Sequence, residues 1–214
     1  MDYRALKELV RQGEGTHLEF KLKSNHPERI IREIVAFANT EGGKLLIGIG
    51  DDKSIQGLKH VDEDEYLLER AIERYCAPTI TYSMERVPLA NEREVLVITV
   101  PESERKPHYV DDPLNDFRRV YIRVDDKAVQ ASKEVREIMK GETAERAVRF
   151  TYGDKEQTLM QHLDRNQSIT VDLFANIANI PRKMASRTLV LLVLANVLEI
   201  HPNETVDRFT TRMG

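Results

Sequence analysis

The most constraining stretch of the chain runs from Glu14 to Leu58, where the hydrophobic pattern changes period twice. Between His17 and Lys23 apolar and charged residues alternate. Leu18, Phe20 and Leu22 fall on one face, and His17, Glu19, Lys21 and Lys23 on the other. A period of two predicts a half-buried strand, here with a charged outer face. Ile30, Ile31, Ile34, Val35, Phe37 and Ala38 then follow helical spacing and form a broad apolar stripe. Ser24 or Asn25 is placed to cap that helix, Pro27 suits its first turn, and Gly42-Gly43 ends it. Leu45 to Ile49 is a short apolar run of strand length, in which Gly48 and Gly50 permit a tight turn or close backbone approach.

Around this unit the pattern predicts a helix over 3–12 with Leu6, Leu9 and Val10 on one face, stopped by Gly13. A helix over 63–75 is expected, capped by Asp62, with Tyr66, Leu67, Ala71, Ile72 and Tyr75 inward. Strands follow at Ile80 to Val87 and Glu94 to Val100. Residues 101–117 read as a long charged loop. Arg119 to Val124 is a strand, and Ser132 caps a helix over 133–140. From Lys155 the chain becomes helical, over 155–164, 171–178 and 182–195. Short strands at Val197 to His201 and Thr205 to Thr210 complete it. The expected organisation is a first domain over 1–141, a linker over 142–154 and a second domain over 155–214.

Composition narrows the function classes. At 214 residues the chain is large for one domain and comfortable for two. No apolar run approaches the roughly 20 residues of a membrane span, and the amphipathic N-terminus lacks a signal-peptide core. A cytoplasmic location is the resulting expectation. The single cysteine, Cys76, allows no internal disulfide and no cysteine-based zinc site. In a helical pattern it reads as a buried thiol. A net charge of -4 argues against a chain coated in basic charge, yet leaves room for a local basic patch.

The carboxylates at Glu14, Glu19 and Asp51 or Asp52 carry the chemical question. Brought together, they would raise a pKa or recruit a hard cation, Mg²⁺ or Mn²⁺ rather than zinc. Beside Lys21, such an ion suits phosphodiester cleavage. Their bland alternative is an exposed carboxylate paired with Lys21, which contributes little. No G-x-x-x-x-G-K-[ST] loop is present, so ATP has no recognisable cradle.

The run EGTHLEFK, the helix ending AFANTEGG, the strand LLIGIGDD and the later YIRV strand followed by a helix resemble the Schlafen AlbA-type domain over about residues 10–140. The resemblance implies an α+β fold, a mixed sheet with packed helices. It also implies a metal-dependent RNA-cleaving site at Glu14, Glu19 and Asp51, with Lys21 supporting, as in the nuclease-active members. Many bacterial relatives sharing this acidic pair are described as regulators. The chain departs from the pattern at Asp125-Asp126-Lys127, where many members carry a Gly-Ser-Ser-type turn, and at the extra Gly50, which displaces the third carboxylate.

In the second half the order helix, helix, turn, helix, hairpin is that of a winged helix-turn-helix. Thr170 caps the second of these helices, and Asn179-Ile180-Pro181 makes the turn. Leu173, Ile177, Ile180, Ala185, Leu189 and Leu192 are expected in the core, with Arg182, Lys183, Ser186 and Arg187 on the outer face of the third helix and Arg208 on the wing. The pattern A-x-x-x-x-I-P-x-x-x-A-S-R-T-L is similar to winged-helix DNA-binding domains over 155–212. The run Leu189 to Val197 is more apolar than one core face requires, which suggests a second packing partner.

Three functions compete. The first is a DNA-binding transcriptional regulator that contacts nucleic acid through the winged helix and the AlbA-like domain, with Lys21, Lys23, Arg182, Lys183, Ser186, Arg187 and Arg208 as contacts and no required cofactor. The second is an Mg²⁺- or Mn²⁺-dependent endoribonuclease. A third is a dimeric assembly protein, and a homo-oligomer, dimer favoured, is expected.

Overall fold

A computed structural model describes residues 1–112, 117–143 and 151–212. The chain divides into two compact units, Met1–Gln130 and Ala131–Gly214.

The first unit is built on a four-stranded sheet of order β1-β2-β5-β4. Its strands are β1 (Leu18–Lys21), β2 (Gly43–Ile47), β4 (Ser83–Pro88) and β5 (Glu94–Val100). β1 and β2 run parallel, joined by helix α2 (Pro27–Asn39), while β5 is antiparallel to both β2 and β4. Glu19 pairs with Leu45 and Lys21 with Ile47, so these residues share one sheet face. That face is covered by α2 and helix α3 (Val61–Tyr75), with Ile30, Ile34, Phe37, Leu45, Ile47, Leu96 and Ile98 in one core. Phe20, Leu46, Val95 and Val97 point the other way, onto Leu6 and Val10 of helix α1 (Tyr3–Gln12). The sheet is thus apolar on both faces. The β1 face expected to be exposed lies under α2, and Glu19 is only 5% exposed.

The remaining strands of this unit are short: β3 (Cys76–Ala77), β6 (Tyr109–Asp112), β7 (Phe117–Arg119), β8 (Tyr121–Val124) and β9 (Lys127–Gln130). They form a β3-β6-β7 sheet and a β8–β9 hairpin. The segment read as a loop over 101–117 therefore contains β6, held by its pairing to Cys76 and Ala77. Asn39 ties these pieces to α2: its Nδ2 donates to the carbonyls of His108 and Tyr121, both at 2.9 Å, and its Oδ1 accepts from His108 N–H at 2.7 Å. Burial pushes the Cys76 thiol up to about 12, as befits a packed thiol.

Several local expectations are corrected. α2 begins without a side-chain cap, and the hydroxyl of Ser24 instead donates to Asp64. α3 begins at Val61, and the Asp62 carboxylate accepts from Arg86 at 2.6 Å rather than capping. The buried stripe of α3 is Val61, Leu68, Ala71 and Ile72, which leaves Tyr66 62% and Leu67 58% exposed on its far side. Gly48, with φ at +104°, allows the close approach expected of it, because an added Cβ would lie 2.9 Å from Gly57 Cα.

Among its described residues the second unit holds four helices: α4 (Lys133–Glu142), α5 (Asp154–Asn166), α6 (Val171–Ile177) and α7 (Arg182–Leu194). An antiparallel sheet of order β10-β12-β11 accompanies them, from β10 (Ser168–Ile169), β11 (Leu198–His201) and β12 (Arg208–Thr211). Phe174 and Phe209 are fully buried at its centre with Leu159, Ala185, Leu189 and Leu192. Ser132 and Thr170 cap α4 and α6 as expected. Leu173 and Ile177, expected inside, are partly exposed, because Phe174 fills the core side of this short helix. α4 packs on α7: Ser186 meets Glu134, and a Cβ on Gly141 would run into Leu194. That packing is the second partner of the apolar run in α7. It also places α4 with this unit, so the boundary falls at Gln130–Ala131 rather than behind Gly141. Of the linker expected at 142–154, residues 144–150 lie outside the described residues, while Glu142 belongs to α4 and Asp154 to α5.

Candidate functional site

Two of the expected carboxylates, Glu14 and Glu19, stand together at β1. Glu14, just before the strand, accepts the Phe20 N–H at 2.9 Å. Glu19 lies beside it, and their proximity together with burial holds the Glu14 carboxyl above its usual range, burial being the larger cause. Glu19 has both oxygens occupied: Oε1 accepts from Lys21, and Oε2 from Arg123 Nη1 at 2.9 Å. Lys21 also donates to the Phe20 carbonyl at 3.1 Å.

Arg123 is the centre of the group. It stands on β8, its side chain fully buried. The same Nη1 donates to Glu33 of α2, and Nη2 donates to the Gly15 carbonyl at 2.7 Å. Its Nε finds no hydrogen-bond partner among the described residues. The guanidinium instead stacks 4.9 Å from the Phe37 ring centroid, where the π face compensates part of its desolvation. One arginine therefore ties β1, α2 and β8 together. Three carboxylates here share two cations, Arg123 and Lys21. Burial, then the Glu19 charge, pushes Glu33 up to about 7 despite its contact with Arg123.

The third expected carboxylate does not join them. Asp51 is exposed in the turn after Gly50. Asp52 closes that turn on Ser54, whose hydroxyl and then its N–H, donating at 3.0 Å, hold the Asp52 carboxyl below its usual range. Among the described residues no group of three or more His, Cys, Asp or Glu side chains is arranged to hold a metal ion. Lys21 and Arg123 take both oxygens of Glu19, and Asp51 is not grouped with it, so the donor set does not fit Mg²⁺ or Mn²⁺ at Glu14, Glu19 and Asp51. Sequence reading missed Glu33 and Arg123. The available signal was an arginine inside the apolar strand YIRV, since a charge between buried neighbours requires a buried countercharge.

The cationic candidates sort by exposure. Lys23 is exposed, whereas Lys21 is tied to Glu19. On α7 Arg182, Lys183 and Arg187 are exposed, and Arg182 donates to Asp172 at 2.7 Å. Arg208 is exposed on β12, with Ser168 Oγ 3.5 Å from its Nη1. Ser186 corrects the expected outer face: it is 3% exposed and donates to the Glu134 carboxylate at 2.5 Å. Ser186→Ala is expected to destabilise the chain by about 1–3 kcal/mol in urea unfolding, because Glu134 loses a buried partner. Duplex DNA binding should stay unchanged, and a selective loss of binding at unaltered stability would place Ser186 at the interface after all.

Residues 14–132 match the family described as Schlafen, AlbA_2. The chain belongs to this family. Its fold accords with that membership: a mixed α+β unit with the signature stretch on β1, α2 and β2. At a coarse level, membership of this Schlafen AlbA_2 family points to a nucleic-acid-related function. Among solved structures, the chain is similar to the N-terminal domain of a RecG-related protein from Nitrosomonas europaea, at 22% identity and a TM-score of 0.42, over 50% of this chain and 80% of that one. It is also similar to the DIP2311 protein of Corynebacterium diphtheriae, at 18% identity and a TM-score of 0.45, over 75% of this chain and 36% of that one. No helix among the described residues is long and apolar enough to cross a membrane.

Proposed function

We propose that this Schlafen AlbA_2 protein is a DNA-binding transcriptional regulator whose second unit is a winged helix-turn-helix. In this reading α6 and α7 form the helix-turn-helix, and β11 and β12 form the wing. The observation that carries it is the sorting of α7. Ala185, Leu189 and Leu192 are buried in the core, while Arg182, Lys183 and Arg187 all lie exposed at its N-terminal half. A helix presenting cations at its N-terminal end suits phosphates and the guanine edges of a major groove. Arg208 on the hairpin adds a backbone contact.

The ribonuclease reading has less support, because Arg123 and Lys21 occupy the oxygens of Glu19. Cleavage of structured RNA with Mn²⁺ that is lost in Glu19→Gln would restore it.

The expected result for the regulator is salt-sensitive binding of duplex DNA in fluorescence anisotropy. Lys183→Ala with Arg187→Ala should weaken it about tenfold and lower the salt slope by about 2, at roughly 0.9 per lost phosphate contact. An unchanged slope in that double variant would remove α7 from the interface.

A further inference from the structure

α1 presents a second cationic face, on the first unit. Its apolar side, Leu6 and Val10, is buried against the sheet. Arg4, Lys7 and Arg11, spaced three and four apart, line the opposite side and are exposed. Lys53 extends this row from the turn after β2. Its Nζ donates to the Arg11 carbonyl at 3.3 Å and lies against Gly13, where an added Cβ would approach it to 2.8 Å. Glu8 pairs with Arg11 at 2.7 Å, an exposed pair of small worth that a phosphate can displace. Asp2 accepts the Ala5 N–H at 2.8 Å as the cap of α1, Asp52 accepts the Ser54 N–H at 3.0 Å, and Asp51 is exposed in the turn that carries Lys53.

Beside the row stands an aromatic. Tyr3 is 48% exposed, with Lys7 Nζ 5.8 Å from its ring centroid. The ring edges an open hollow of about 430 Å³, lined also by Ile55, Pro88, Leu89, Ala90 and Asn91. The walls are apolar, and Asn91 supplies an amide at the rim. Three cations along a helix and a fourth from the neighbouring turn, leading to an aromatic ring at an apolar hollow, combine the two elements that hold single strands: charge for the backbone and a flat surface for a base.

We propose that α1 and Lys53 form a contact surface for single-stranded nucleic acid, with the backbone along Arg4, Lys7, Arg11 and Lys53 and one base stacked on Tyr3 over the hollow. With an overall charge of -4, attraction of a polyanion rests on local cationic rows such as this one rather than on the net charge of the chain. The inference deepens the nucleic-acid reading of the protein and adds a site separate from α7.

The test uses the full chain and fluorescently labelled 12-nucleotide single strands of mixed sequence, as DNA and as RNA, beside a duplex. Wild type is expected to bind single strands. Lys7→Ala, Arg11→Ala and Lys53→Ala together should weaken this about tenfold and lower the salt slope by about 2, at roughly 0.7 per contact. Tyr3→Leu should weaken it about fivefold or more with no change in slope, and Tyr3→Phe should restore it, which a merely structural role would not produce. All of these positions are exposed, and matching far-UV spectra establish that the variants are folded. Unchanged single-strand affinity in the triple variant overturns the α1 site. If wild type binds duplex but no single strand, the α1 site also falls while the regulator reading stands. If wild type binds neither, both fall. Single-strand binding that the triple variant loses, with no duplex binding by wild type, supports α1 and removes α7.

Discussion

Arg123→Ala is expected to lower the unfolding free energy by about 3–5 kcal/mol, the range for removing one partner of a buried charge pair. The guanidinium is fully buried and meets Glu19, Glu33 and the Gly15 carbonyl at once. Without it, Lys21 remains for Glu19, and Glu33 has lost its direct partner. Arg123→Lys should recover only part of the loss, since one ammonium cannot reproduce a planar fork that reaches two carboxylates and a carbonyl. Urea unfolding followed by circular dichroism reads the effect. A loss below about 1 kcal/mol would mean that the cluster is solvated and Arg123 is not its keystone. A cycle combining Arg123→Ala with Glu33→Gln should show coupling of at least about 1 kcal/mol, because the two groups are in direct contact.

Glu33→Gln is expected to stabilise the protein at pH 8 by about 2–3 kcal/mol and to leave it nearly unchanged near pH 5. The sign follows from linkage. The folded carboxyl titrates at about 7, above the 4.5 of an ordinary glutamate, so the folded state holds the proton more tightly. The stabilisation this confers is complete below pH 4.5 and is lost as pH rises through about 7. Glutamine mimics the neutral form at every pH and so escapes that loss. The raised pKa of Glu14 works in the same direction, though its exposure screens the effect. The measurement is thermal unfolding of wild type and variant between pH 5 and 8.5. Parallel pH profiles for the two proteins would exclude Glu33 as the titrating group.

Much of the fold was legible in the chain. Alternation located β1, helical spacing located α2 and α5 to α7, and turn chemistry located most ends. Patterns failed where a residue's environment comes from a distant partner. β6 has too little periodicity of its own and exists through its pairing with Cys76 and Ala77. Tyr66 and Leu67 fit an apolar stripe in composition, but the sheet is met by the other side of α3. Ser186 sits among exposed cations in sequence, yet on a helix packed from two directions it faces Glu134.

The Glu14-to-Leu58 stretch determined, by itself, the strand–helix–strand unit and with it the family, because period and spacing are local properties of a chain. The role of its carboxylates was decided by tertiary structure. Arg123 lies 104 residues beyond Glu19 and enters the cluster only when β8 packs beside α2. Whether a carboxylate binds a metal, a proton or a guanidinium depends on which charges surround it within a few ångströms in a low dielectric. Sequence spacing carries no information about a countercharge arriving from elsewhere in the fold.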